Sequence, residues 1–322
     1  MDEPVGSGDR ALVGYEMLRP GELRQRVDAA SIAYVPIGPL EFHGPHLPSG
    51  VDLLTADALC RRTAALVGGV VLPPLYVASG VLPLPHGITF PLDTLRAVVR
   101  SVLDQLAEGG FEVIVVFSGH GALDHLHVLR EECDRLMSRQ PTVRALTTIW
   151  NELTADIPGD IHDHGAKVET SYMMELWPDT VDLETLADDP GAEHVGVYAA
   201  NPRFTASREW GETLSAHVVG RLADRLRGLV AGQPADNWAD LRSLVGRLQA
   251  GDLEVVRDSA RITNAGFALE LYNPHGQSKY LTAVPSVTWD GGEIDPSRLT
   301  LCNQSVGERS DAYSVATLGP LA

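Results

Sequence analysis

The stretch Pro36-Ile37-Gly38-Pro39-Leu40-Glu41-Phe42-His43-Gly44-Pro45-His46-Leu47-Pro48-Ser49-Gly50-Val51-Asp52 decides how the chain reads. It leaves an apolar run, Ser31-Ile32-Ala33-Tyr34-Val35, that reads as a buried strand, and it enters a helix expected over 51–66. Between them, four prolines and three glycines (Gly38, Gly44, Gly50) stiffen and turn a loop bearing two carboxylates and two imidazoles. Acid and imidazole side chains gathered just past a core strand are the donors that a metal site in an α/β protein uses.

Outward from this loop the chain alternates between strand and helix patterns. Pro20 opens a short helix over 20–27. Residues 69–74, Gly-Val-Val-Leu-Pro-Pro, read as a β-branched strand stopped by proline, and 93–108 read as a helix closed by Gly109-Gly110. The run Phe111-Glu112-Val113-Ile114-Val115-Val116-Phe117 is the clearest strand signal. It ends in Ser118-Gly119-His120-Gly121, followed by a helix over 123–138 and a strand over 143–149. A helix opening near Lys167, a loop over 177–203 and an amphipathic helix over 209–230 complete the pattern. Strands apolar on both faces imply a mostly parallel sheet covered by helices, an α/β fold whose ligands bind beyond the carboxyl ends of the strands. Both His43 and His120 fall there.

Three segments follow from the composition. Residues 1–10 are small and polar and are expected to be disordered; 11–233 form one α/β domain; 236–322 form a β-rich extension. In the extension a short helix over 238–248 precedes β alternation over 265–272 and 281–289, parted by Asn273-Pro274-His275-Gly276 and Asp290-Gly291-Gly292.

The 322 residues carry 25 Lys+Arg against 43 Asp+Glu, a net charge of −18. That balance lacks the cationic surface needed to neutralise phosphates, so nucleic-acid and anionic-membrane partners are excluded. Cys60, Cys133 and Cys302 are far apart and odd in number, which reads as free thiols in a reducing compartment. No run reaches the roughly 20 apolar residues of a membrane helix, and Met1-Asp2-Glu3-Pro4 lacks the features of a signal peptide. A cytoplasmic enzyme with a small-molecule substrate is the expectation.

Glu41 and His43, two residues apart, point to one side of an extended segment. Asp52 sits at a helix entrance, and His120 lies between glycines, where the backbone approaches something closely. Asp160, His162, Asp163, His164 and Glu169 form a third cluster. Taken singly, these residues read as caps, solvated charges or turn histidines. Three such clusters, each at a strand end or helix start, point instead to a divalent ion such as Zn, Mn or Fe. Two ions sharing a carboxylate generate hydroxide near neutral pH. His125 and His127 read as structural or exposed, and His194, His217 and His275 as surface. His46 reads as structural or as a support to the ligands. The Pro/Gly-rich loop over 75–90 is expected to wall a pocket, with Ser79 and His86, and with Asp160 and His162, as substrate-binding groups.

These motifs, in this order, resemble those of the creatininase family of metal-dependent hydrolases. The stretch from Pro36 to Asp52 matches its first signature, with Pro39 in place of Ser and Phe42 in place of Gln. Ser118-Gly119-His120-Gly121 resembles its Asn-Gly-His-Gly motif, and His164-Gly165-Ala166-Lys167-Val168-Glu169-Thr170-Ser171 its third. A weaker match joins Gly196-Val197, Asn201-Pro202, Thr205-Ala206-Ser207 and Gly211, so that the resemblance spans about 12–230. It implies a layered α/β/α fold and a binuclear metal centre with Glu41, His43, Asp52, His120 and Glu169 as ligands, Asp52 bridging. His164, beside Glu169, would act in catalysis by moving a proton. Homo-oligomers, hexamers among them, are implied by the same analogy. The creatinine-cleaving branch has a Glu two residues after the second-motif His, where this chain has Ala122. Lys167 stands at an often acidic position, and the Glu-His pair common before a Phe-Pro-Gly-Thr segment is missing from the loop Ser79-Gly80-Val81-Leu82-Pro83-Leu84-Pro85-His86-Gly87-Ile88-Thr89-Phe90. The expected activity is therefore hydrolysis of a non-peptide C–N bond in a cyclic amide or related small molecule. The alternatives are ring-opening C–C hydrolysis of a cyclic polyol ketone on the same metals, and a non-catalytic metal-binding scaffold.

Overall fold

The computed structural model describes residues 14–154, 157 and 163–238, and the backbone of a set of strands between 254 and 317. The chain divides into two compact units, Met1–Asn237 and Trp238–Ala322.

In the first unit, α1 (Pro20–Ala29) opens on Pro20, and Glu22 turns back to accept the Arg19 N–H at 2.9 Å. Then come β1 (Ile32–Ile37), α2 (Val51–Val67), β2 (Val70–Val71), α3 (Leu92–Glu108), β3 (Val113–Ser118), α4 (Leu123–Arg139) and β4 (Arg144–Ile149). A five-residue α5 (Trp150–Thr154), α6 (Lys167–Leu176), a short α7 (Pro202–Thr205) and α8 (Arg208–Val230) complete it. The four strands form one parallel sheet in the order β2-β1-β3-β4. Every residue of β1 and β3 is buried, which is why their sequences are apolar on both faces.

The helices form two layers. α3 packs with α4, and α2 packs with α6 and α8. Leu95, Val99, Leu103 and Leu106 make the buried stripe of α3 at helical spacing. Leu129, Cys133 and Leu136 do the same for α4. The unit is thus the expected layered α/β/α domain; its long helices match the expected ranges to within a few residues, while the short α5 and α7 were not expected.

The strands differ more. β1 runs two residues beyond the expected 35, through Pro36. The backbone groups of Tyr34, Pro36 and Gly38 face the β2 side, where Leu72 N and Leu75 N donate to Tyr34 O and Pro36 O. β2 has ended by then, so the N–H that Pro36 lacks has no ladder partner to lose. Pro73-Pro74 cut β2 itself to two residues.

The second unit contains β5 (Glu254–Val255), β6 (Arg261–Thr263), β7 (Gly266–Tyr272), β8 (Val287–Trp289), β9 (Gly292–Ile294), β10 (Leu299–Cys302) and β11 (Ala312–Thr317). They pair antiparallel, in a five-stranded sheet ordered β10-β11-β7-β5 with β6 on β7, and in a two-stranded β8-β9 pair. The expected disordered start over 1–10 lies outside the described residues. So does the helix expected over 238–248, past its first residue. Among the described residues no helix is long and apolar enough to cross a membrane.

Candidate metal centre

From β1 the chain crosses to β2 on one side, then returns to β3 on the other. The strand order therefore reverses between β1 and β3, and the crevice at their carboxyl ends is the switch point where open α/β sheets bind ligands. The first turn of α2 drops into this crevice. A Cβ on Gly38, just past β1, would lie 2.8 Å from Asp52 Cβ. A Cβ on Gly119, just past β3, would lie 2.6 Å from the Asp52 carbonyl carbon. Only glycine at both strand ends lets Asp52 sit between them, which explains the close approach expected at Gly119.

Around Asp52 the structure brings together the five residues from the three sequence clusters. Glu41 and His43 come from the loop after β1, His120 from the turn after β3, and Glu169 from the first turn of α6. All five are buried, none above 7% exposed. Asp52 Oδ2 lies 3.3 Å from His120 Nδ1, which is also 3.3 Å from Glu41 Oε2. Asp52 Oδ1 lies 3.3 Å from His43 Nε2, which is 3.5 Å from Glu169 Oε2. The donors thus form two triplets, Glu41–Asp52–His120 and His43–Asp52–Glu169, with one Asp52 oxygen toward each. In each triplet the donor atoms lie within 4.8 Å of one another.

The second nitrogen of each imidazole is occupied. His43 Nδ1–H donates to Glu41 O at 3.2 Å, leaving Nε2 as the nitrogen that faces the carboxylates. His120 Nε2–H donates to Ser79 O at 3.2 Å, leaving Nδ1 in that role. Metal-ligating histidines show this arrangement, one nitrogen fixed by a backbone oxygen and the other presented to the ion.

Charge in the cluster is unbalanced. Burial raises the Glu41 carboxyl, and burial with Asp52 and Asp163 nearby pushes Glu169 up to about 8. Burial would also lower His43, but Glu169 and Asp52 outweigh it and hold the imidazole at about 10. Asp52 is held low, against its burial, by His43 and His120. Three carboxylates in a dry crevice therefore gather protons. A divalent cation would displace those protons and supply the same positive charge. Glu41 Oε2 and Asp52 Oδ2 are buried with no hydrogen bond, a cost that two ligand bonds would remove. The chemistry of the set, imidazole with carboxylate, fits Zn, Mn or Fe.

His164 lies alongside. Its ring stacks on His43 with centroids 4.2 Å apart, and its Nε2–H donates to Phe42 O at 2.9 Å. One of its nitrogens lies within 4.8 Å of donor atoms of Glu41 and His43. Burial and the neighbouring His43 hold it down at about 4. His46 is buried and bonds Thr170 Oγ1 at 2.9 Å, tying the first loop to the helix that carries Glu169.

Several expected residues fall elsewhere. Asp163 does not join the donor triplets; its carboxylate accepts the Val168 N–H at 2.6 Å and caps the start of α6. Asp160 and His162 lie outside the described residues. Ser79 contributes its carbonyl, while His86 is exposed in a left-handed turn (φ 67°) and is absent from the donor triplets. His125 is buried against Ser118 Oγ, whereas His127 is exposed and pairs with Glu131. His194 and His217 are half-buried rather than surface groups; His275 lies outside the described residues. Two contributions carry no signal in residue type. The Leu82 N–H donates to Glu41 Oε1 at 2.6 Å, and the Tyr198 ring stands 5.4 Å from that of His164.

Carboxylate and imidazole donors grouped around one shared aspartate, at the switch point of a parallel sheet, are the kind of site that metal-dependent hydrolases use. A family model described as creatininase, creatinine amidohydrolase, matches residues 16–226. The chain belongs to the creatininase family and is an amidohydrolase of that type. It is 30% identical over 241 residues to the creatinine amidohydrolase of Pseudomonas putida, covering 64% of this chain and 93% of that protein. It is 22% identical over 198 residues to the 3-dehydro-scyllo-inosose hydrolase of Thermotoga maritima, covering 58% and 62%. A crystal structure of creatinine amidohydrolase superposes with a TM-score of 0.60 at 27% identity, over 67% of this chain and 97% of that one. A structure described as creatininase Mn gives 0.59 at 26%, over the same shares.

Proposed function

We propose that the chain hydrolyses a non-peptide C–N bond in a cyclic amide or related small molecule, using two divalent ions held by Glu41, His43, Asp52, His120 and Glu169. The observation that carries this reading is Asp52, which offers one oxygen to each donor triplet. When bound, the ions would polarise the scissile carbonyl and make water nucleophilic at neutral pH. The protein's own part is to hold five donors in a crevice closed to bulk solvent and to place His164 at its edge. With Nε2 committed to Phe42 O, the His164 ring has Nδ1 available to carry a proton to the departing nitrogen. Ala122, where the creatinine-cleaving branch has a ligand glutamate, favours a substrate other than creatinine, with Glu169 completing the second triplet.

The test is turnover over a panel of lactams, hydantoins and formamides with the metal-stripped and Mn- or Zn-loaded protein. Activity should vanish on stripping and return on loading. His164→Ala should lower kcat by about 100- to 10,000-fold with metal content unchanged. Full activity without metal would refute the reading.

A second reading is supported by the relative from Thermotoga maritima. The same centre would open a cyclic polyol ketone by C–C hydrolysis, its ions stabilising an enolate. Product analysis separates the two: a released amine or new amino acid marks the first, a ring-opened acid without nitrogen release the second.

A further inference from the structure

The two donor triplets are supported differently. Glu169 Oε2 accepts the Gly165 N–H at 2.6 Å, and His43 donates to Glu41 O, so these ligands are steadied by residues within four positions of themselves. Glu41 and His120 are steadied from a distance, by main-chain atoms of one loop. Leu82 N–H takes Glu41 Oε1, which leaves Oε2 as the free oxygen. Ser79 O takes His120 Nε2–H, which leaves Nδ1 facing Glu41 and Asp52.

That loop is tied to the end of β1 and to the segment just after it, and it closes on itself. Leu75 bridges Ile37, Ile88 bridges Leu40, and Phe90 N donates to Ala78 O at 2.8 Å. Between the anchors, Gly80 takes a left-handed conformation (φ 83°) and presses on Ala122, where an added Cβ would lie 2.7 Å from the alanine Cβ. A side chain at residue 80, or a bulkier one at residue 122, would push the loop off the ligands.

We propose that the main chain of residues 79–82 is the outer coordination shell of one metal position only, the Glu41–Asp52–His120 one, and sets the affinity of that ion selectively. The inference rests on the two-ion reading above. It makes the centre graded, with one ion held by the body of the domain and the other dependent on the wall of the substrate pocket. Ser79 and Leu82 are positioning residues in this scheme, acting through His120 and Glu41.

The test is Mn²⁺ binding to the full-length, metal-stripped chain, by titration calorimetry and by the spin-coupled EPR signal of a Mn pair. Leu82→Pro deletes the N–H, Leu82→Ala keeps it, and Gly80→Ala displaces the loop. We expect two ions in the unaltered protein. Leu82→Pro and Gly80→Ala should each weaken one ion by about 10- to 100-fold and leave the other within about twofold. The coupled signal would give way to that of isolated Mn²⁺, and Leu82→Ala would match the parent. Retention of the second ion reports that each variant is folded. Equal weakening of both ions, no weakening, or the same loss in Leu82→Ala would overturn the inference while leaving the two-ion reading standing. A single ion in the unaltered protein would overturn both.

Discussion

Adding one methyl group at Gly119 tests whether the crevice depends on backbone contact between β3 and α2. In Gly119→Ala the new Cβ would lie 2.6 Å from the carbonyl carbon and 2.8 Å from the Cα of Asp52, and closer still to its oxygen. These neighbours are main-chain atoms, so no rotamer change relieves the overlap. Real Cβ contacts stay beyond 3.0 Å and are rarely under 3.4 Å, so the first turn of α2 must retreat by up to about 1 Å. Overpacking of that kind costs about 1–3 kcal/mol. For a unit of this size, about 2 kcal/mol lowers Tm by roughly 4–8 °C. The functional effect is larger, because Asp52 faces both triplets. A 1 Å misplacement costs about 100-fold in rate, and loosened ligand support about 10- to 100-fold in metal affinity. Calorimetric unfolding of the stripped protein, together with Mn²⁺ titration, separates the two effects. A Gly119→Ala protein with Tm within about 1 °C of the parent and unchanged affinity for both ions would refute the account.

Gly220→Ala, on exposed backbone of α8 with nothing within 4 Å of the added Cβ, should do the opposite. It should raise stability by about 0.5–1 kcal/mol in urea unfolding, and destabilisation would show that α8 is under strain there. Glu132, on α4, is buried beneath Arg96 and Arg100 of α3 and Arg135 of its own helix. Burial would raise its carboxyl, but hydrogen bonds from Arg100, Arg135 and Arg96 prevail and hold it at about 2. Since an unfolded glutamate titrates near about 4.3, the contribution is complete above that pH and is lost as pH falls toward about 2. Glu132→Gln should therefore be less stable near neutral pH, with its deficit narrowing below about pH 4.3; a gap constant down to about pH 2 would exclude this origin. Metal removal should lower Tm at any pH where the ions bind. Each ion at a hundredfold excess over its Kd adds about 2.7 kcal/mol, so an unchanged Tm in chelator would argue against ligation in the folded state.

The fold was legible where burial and periodicity agree. Val113–Phe117, apolar throughout, reads as a covered strand, and the leucines of α3 repeat at helical spacing. β1 extends past the apolar run through Pro36, and whether the missing N–H of a proline matters depends on where a neighbouring strand ends, which is not a local property. Glu41, His43, Asp52, His120 and Glu169 stood out because several acids and imidazoles crowd strand ends, and the structure gathers them. Asp163 carried the same signal for another reason, since a carboxylate serves a helix start as readily as a metal. His194 and His217 were read as surface because a lone imidazole has no partner visible in sequence. The Leu82 N–H and Ser79 carbonyl were invisible in principle, because every non-proline residue offers the same main-chain atoms.

The donors of the centre are contributed between residues 41 and 169, with strands, helices and crossovers folded in between. No local segment holds more than part of either triplet, so the unfolded chain offers an ion nothing resembling the finished site. On the two-ion reading, metal uptake would therefore be a late event in the biogenesis of this protein. A ribosome must release the chain past α6, and the sheet must pair its non-neighbouring strands, before an ion finds its ligands.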